Sequence, residues 1–111
     1  MNKDGQERRL KWIRGRVEKE EHSIDKKHAF IEALKDGVTP EDIEYVLLNG
    51  EIIEDYPERF RCLIYGLMLN GLPLHVLCDY YSEEWLRIGT VYIPDSRQGI
   101  KYKIRKKVEG K

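Results

Sequence analysis

Arg61-Cys62-Leu63-Ile64-Tyr65-Gly66-Leu67-Met68-Leu69-Asn70-Gly71-Leu72-Pro73-Leu74-His75-Val76-Leu77-Cys78-Asp79-Tyr80-Tyr81 is the stretch on which the fold turns. Two apolar, strand-like runs flank Asn70-Gly71, a dipeptide that favours a tight hairpin. With those two residues as the loop, Arg61 to Leu69 pairs with Leu72 to Tyr81, and Gly66 lies across from His75. In this register Cys62 and Cys78 point to opposite faces and no disulfide joins them. Both faces are mostly apolar, so each needs a cover: helices on one side, and the N-terminal segment, the C-terminal tail or a second copy of the chain on the other.

Outward from the hairpin, Trp85 to Ile93 reads as a further strand, stopped by Pro94. If Ser82-Glu83 forms its turn, His75 faces Thr90, with Tyr92 on the same face. A slip of one residue reverses those faces. On the N-terminal side, Glu51 to Tyr56 reads as a short strand around Ile52 and Ile53. Tyr102 and Ile104 suit a short edge strand beyond the meander.

Three helices are expected before the strands. Leu10, Ile13 and Val17 recur at helical spacing within Arg8 to Glu21, with Trp12 beside the stripe. A second helix starts at Ser23 or Asp25, carries His28, Phe30, Ile31 and Leu34, and stops near Asp36-Gly37. The third has Thr39 as its cap, Pro40 at its first position, and Glu41 and Asp42 in its first turn. Asp42 is placed to complete a capping box. Asn49-Gly50 ends this helix through residues that tolerate the left-handed conformation. Helices followed by a strand meander imply an α+β fold: about three helices packed on an antiparallel sheet of about four strands.

The chain has 111 residues, one domain's worth. The reading divides it into an unstructured start at residues 1–7, a single α+β domain at 8–95, and a basic tail or edge segment at 96–111. The formal net charge is zero, but the charge is segregated. Acids Glu32, Asp36, Glu41, Asp42, Glu44, Glu51, Glu54, Asp55 and Glu58 face only Lys35 in the middle of the chain. Arg97, Lys101, Lys103, Arg105, Lys106, Lys107 and Lys111 face only Glu109 at its end. Such asymmetry suits a polyanion or an acidic partner, or a solvated basic tail. No secretory signal and no run of membrane-spanning length occurs, so a cytoplasmic protein with both thiols reduced and buried is expected.

His75 is the leading candidate for chemistry, with Thr90 and Tyr92 as neighbours. Its alternative is a core histidine hydrogen-bonded to a residue such as Thr90. His28 is otherwise a packing or capping residue, and His22 is expected at the surface. Two histidines with Asp79 or Asp95 have no zinc-ligand spacing, and no cofactor motif is present.

From His28 to Asp95 the chain resembles a prokaryotic family labelled a domain of unknown function. The matching residues are His28-Ala29, Gly37-Val38-Thr39 with Glu41-Asp42-Ile43, and Asn49-Gly50-Glu51-Ile52-Ile53-Glu54-Asp55-Tyr56-Pro57. Cys62-Leu63 with Gly66, Gly71 with Pro73-Leu74-His75-Val76, and Thr90-Val91-Tyr92 with Pro94-Asp95 complete the set. Relatives often carry an arginine where Asp36 stands here and a basic residue where Leu72 stands, and commonly a tryptophan after the proline–aspartate pair, which Ser96-Arg97-Gln98-Gly99 lacks.

That family is grouped with small toxins of the RelE, ParE and BrnT type, many of which cleave messenger RNA while ParE-like ones act on gyrase. The resemblance implies a RelE/BrnT-like fold, metal-independent RNA cleavage and an antitoxin partner. It implies His75 as general base or acid, Tyr92 as an orienting or proton-donating group, and Arg61, Lys103 or Arg105 as phosphate cations. His28 joins them if its helix packs near the strand end. The alternative is a non-catalytic module that binds nucleic acid or protein, or a homodimer formed through an apolar sheet face.

Overall fold

A computed structural model describes residues 3–25 and 35–94. In chain order the elements are α1 (Lys3–Glu18), β1 (His22–Ile24), α2 (Pro40–Asn49), β2 (Glu51–Tyr56), a 3-10 turn (Pro57–Arg59), β3 (Arg61–Leu67), β4 (Pro73–Asp79) and β5 (Leu86–Tyr92). The strands form one sheet in the order β1-β5-β4-β3-β2, with β1 parallel to β5 and the other pairs antiparallel. The class is α+β, as expected.

The counts differ from the expectation. Two helices are seen among the described residues rather than three, and the sheet is mixed with five strands rather than antiparallel with four. The region read as the second helix lies largely outside the described residues, and His28 with it. Its expected caps, Ser23 and Asp25, lie in and just after β1: Ser23 pairs with Arg87, and the Asp25 amide donates to the Ile88 carbonyl at 2.9 Å. Polar residues that suit a helix cap also suit an edge strand, and local signals do not separate the two. Helix α1 already starts at Lys3, inside the segment expected to be unstructured. The suggested edge strand at Tyr102 and Ile104 lies outside the described residues.

Helix α2 forms as the sequence dictates. The Thr39 hydroxyl accepts from the Asp42 amide at 3.1 Å, and the Asp42 carboxylate accepts from the Thr39 amide at 3.1 Å. This reciprocal cap satisfies two otherwise orphaned donors. The other Asp42 oxygen accepts from the Leu69 amide at 3.4 Å, which ties the start of α2 to the β3–β4 loop.

The β3–β4 register is one residue away from the expected one. The Met68 amide donates to the Leu72 carbonyl at 2.8 Å, and Gly71 alone in the loop has positive φ, at 87°. A type I′ turn over Asn70-Gly71 needs positive φ at both residues. The chain instead makes a three-residue loop, Leu69-Asn70-Gly71, with Gly71 as its left-handed residue. His75 therefore pairs with Tyr65, not Gly66, and Cys62 pairs with Cys78 on the same face. The next connection is also longer than a Ser82-Glu83 turn. It sets His75 opposite Tyr92 and Leu77 opposite Thr90, and Gly89 is an extra bulged residue below them.

Ile52, Cys62, Ile64, Leu74, Val76, Cys78, Leu86, Ile88 and Val91 point to one face of the sheet. Together with Ile13 and Val17 of α1 and Ile43, Val46 and Leu47 of α2 they form the core. Gly66 lies on this helix-covered face rather than beside His75. A Cβ there would meet the Val46 side chain at 3.0 Å and the Gly50 Cα at 3.2 Å. Gly50 is extended, with φ −86°, so its role is close approach and not a left-handed cap. A Cβ at Gly50 would collide with the Tyr65 carbonyl and approach the Val46 carbonyl to 2.6 Å.

Gly50→Ala is therefore expected to lower stability by about 3 kcal/mol or more, read as a shift in urea midpoint. Gly15→Ala is the matched control: nothing lies within 4 Å of its added Cβ inside α1, and it is expected to gain about 0.5–1 kcal/mol.

Candidate functional site

The face of the sheet opposite α1 and α2 carries polar and aromatic side chains in rows, because side chains alternate along each strand. One row is Glu51, Tyr65, His75 and Tyr92, across β2, β3, β4 and β5. The next is Glu54, Leu63, Leu77 and Thr90. The third is Tyr56, Arg61, Asp79 and Arg87, continued by Ser23 of β1.

His75 lies between two tyrosine rings. Its ring meets that of Tyr92 edge-on at 5.1 Å and that of Tyr65 edge-on at 6.1 Å. The His75 Nδ1 and the Tyr92 hydroxyl are 2.9 Å apart, and the tautomer sets which of them donates. His75 is fully buried, whereas Tyr65 and Tyr92 are half-buried. The two tyrosines are thus more accessible than the imidazole between them. Thr90, the hydrogen-bond neighbour expected for His75, pairs with Leu77 instead and is exposed.

The third row is an ion-pair chain. Asp79, 3% exposed, accepts from Arg61 Nε at 2.6 Å and from Arg87 Nη1 at 2.9 Å. Arg87 Nη2 donates to Asp25 at 2.6 Å. A buried carboxylate requires partners of this kind. Two guanidiniums converge on one carboxylate, and the second carboxylate balances the set. Arg61 is therefore not an isolated phosphate cation, since its Nε already donates to the Asp79 carboxylate.

Of the residues singled out in the sequence, the structure brings together His75 and Tyr92. Arg61 shares their face, two rows away. His28, Lys103 and Arg105 lie outside the described residues. His22 is not at the surface: its side chain is 8% exposed and its Nε2 lies 3.2 Å from Glu44. Sequence reasoning missed Tyr65 and Arg87, and it did not place Asp79 and Asp25 in an ion-pair chain. The signal for Asp79 was present, since only the observed register sets Arg61 opposite it as an opposite-charge pair.

On the helix-covered face, the Tyr80 hydroxyl donates to Asp55 at 3.1 Å, and Arg9 stacks over the Tyr80 ring at 3.7 Å. Burial, and then the Asp55 carboxylate, push the Tyr80 phenol from 10 up to about 12. Among the described residues no group of three or more His, Cys, Asp or Glu side chains is placed to hold a metal ion, and no helix is long and apolar enough to cross a membrane.

Among the described residues, fold and site define a short α+β chain with α1 and α2 on one sheet face and rows of polar, aromatic and leucine side chains on the other. The family model of a domain of unknown function, DUF4258, matches residues 26–93, more than half of the chain, and the chain belongs to that family. No curated protein and no solved structure matches it.

Asp79→Asn is expected to lower stability by about 1–3 kcal/mol in chemical denaturation. That is below the usual loss for a fully buried pair, because the Arg61 and Arg87 side chains keep 36% and 39% of their surface exposed. Tyr80 gives a pH test. Its folded pKa is raised, so its contribution to stability is complete below pH 10 and disappears as pH rises towards 12. Absorbance titration of the folded protein should show one tyrosine ionising late, and Tyr80→Phe should remove that step.

Proposed function

We propose that this protein is a metal-independent, toxin-like ribonuclease acting on RNA in the cytoplasm. The observation that supports this reading is the imidazole–phenol pair of His75 and Tyr92 at 2.9 Å, on one face of a rigid sheet. An imidazole carries a proton acceptor and a proton donor on one ring, which suits general acid–base work.

In this reading His75 takes the proton of a ribose 2′-hydroxyl. The 2′-oxygen bonds to the adjacent phosphorus, and the 5′-oxygen leaves with a proton from Tyr92. The products are a 2′,3′-cyclic phosphate and a free 5′-hydroxyl. The now anionic phenol recovers its proton from the protonated imidazole across their hydrogen bond. Arg61 lies four residues along β3 from Tyr65, about 13 Å at strand rise. It meets a phosphate farther along the RNA, not the one being cleaved. The cation for the reacting phosphate is assigned to Lys103 or Arg105, with His28 as an additional proton-transfer group. Relationship to the RelE, ParE and BrnT toxins, and control by an antitoxin protein, belong to the same proposal.

The full burial of His75 favours a second reading: a non-catalytic module that binds nucleic acid or protein. Its basic segment at 97–111 then supplies salt-dependent affinity without turnover.

The deciding experiment is cleavage of RNA by purified protein in EDTA, with folding of every variant checked by circular dichroism. The ribonuclease reading expects turnover by the wild type and a fall of about 10²–10⁴-fold in both His75→Ala and Tyr92→Phe. Equal cleavage by folded wild type and His75→Ala would remove His75 from the mechanism. RNA binding without cleavage, indifferent to His75→Ala, would replace this reading by the second.

A further inference from the structure

We propose that Cys62 and Cys78 are a redox-active pair that closes to a cross-strand disulfide. The observed register carries this inference. The two cysteines are direct partners across β3 and β4, on the same face, and both are free and fully buried.

The hydrogen bonds at the two ends of the pairing identify their rung. The Met68 amide donates to the Leu72 carbonyl at 2.8 Å, and the Tyr80 amide donates to the Phe60 carbonyl at 2.7 Å. Hydrogen-bonded rungs alternate between these two ends, so Cys62 and Cys78 form a hydrogen-bonded pair. Such pairs have a Cα separation of about 5.5 Å, and disulfides most often span about 5.5–6 Å. Cross-strand Cβ atoms stand about 4.5–5.5 Å apart, hydrogen-bonded pairs at the wide end, so closing the bridge needs a movement of roughly 1–2 Å to reach the usual Cβ range. The neighbouring Cys62 thiol, then burial, pushes the Cys78 thiol well above its ordinary value, so the resting state is a dithiol and its oxidation is slow.

The oxidant suited to a buried pair is small and uncharged, such as hydrogen peroxide. One sulfur attacks the peroxide oxygen; an S–O bond forms, the O–O bond breaks, and water leaves. The second sulfur then attacks the sulfenic sulfur; the S–S bond forms, the S–O bond breaks, and a second water leaves. Two thiols lose two electrons and two protons, and one peroxide becomes two waters. The product braces β3 to β4, the strands that carry Tyr65 and His75, from the helix-covered side. Thiol reductant reverses it.

The test is peroxide treatment of the folded protein, followed by intact mass and a non-reduced peptide map. The dose is raised until Met68, itself buried in the core, becomes sulfoxide. The expected result is loss of two hydrogens within one chain, a linked pair of peptides containing Cys62 and Cys78, and reversal by dithiothreitol. Cys62→Ala and Cys78→Ala should instead place oxygen on the remaining cysteine. Oxygen added at either cysteine of the wild type, a link between chains, or intact thiols once Met68 is oxidised would each overturn the proposal.

Discussion

The hydrogen bond from the Met68 amide to the Leu72 carbonyl closes the central hairpin after three loop residues, and the whole β3–β4 register follows from it. The loop is held from outside as well, because Asp42 accepts from the Leu69 amide while capping α2. The core enforces the same register. Ile64, Leu74 and Val76 are fully buried on the helix side, and burying each such side chain stabilises the fold by about 1.5–3 kcal/mol. A slip of one residue in β4 would turn Leu74 and Val76 away from the helices and bring His75 and Asp79 under them. No feature of the loop can compensate for a loss of that size.

The polar face is a consequence of that constraint. Once Val76 and Cys78 point to the helices, Tyr65, His75 and Asp79 must point the other way. Asp79 is tolerated there because two arginines from neighbouring strands meet it. Helix α2 comes close to the sheet because Gly50 and Gly66 offer no side chains at the crossing. The rows that hold His75 and Asp79 are thus set by packing on the far side of the sheet. This geometry gives a fixed imidazole–phenol pair, the arrangement on which the proposed acid–base chemistry depends.

Much of the scaffold was legible in the sequence, because its signals are local. Thr39-Pro40-Glu41-Asp42 specifies a helix start without any tertiary partner. Glu51 to Tyr56 and the runs around Asn70-Gly71 announce strands by composition. What was not legible depended on contacts distant in sequence. His22-Ser23-Ile24 becomes a strand only because β5 accepts it in parallel. The role of Gly66 could not be read without knowing that Val46 and Gly50 approach it. The His75–Tyr92 relation was anticipated despite a wrong partner: the true pairing differs from the expected one by two residues, and an even shift keeps the face. The cysteines had no such protection, since a shift of one residue moves them from opposite faces to the same one.

The most direct test of this account is solution NMR of the hairpin in the folded protein. Residues facing each other on non-hydrogen-bonded rungs bring their Cα atoms closest, at about 4.5 Å. The account predicts strong Hα–Hα cross-peaks between Tyr65 and His75 and between Leu63 and Leu77. A Gly66–His75 cross-peak in their place would contradict it, and with it the placing of His75, Asp79 and both cysteines.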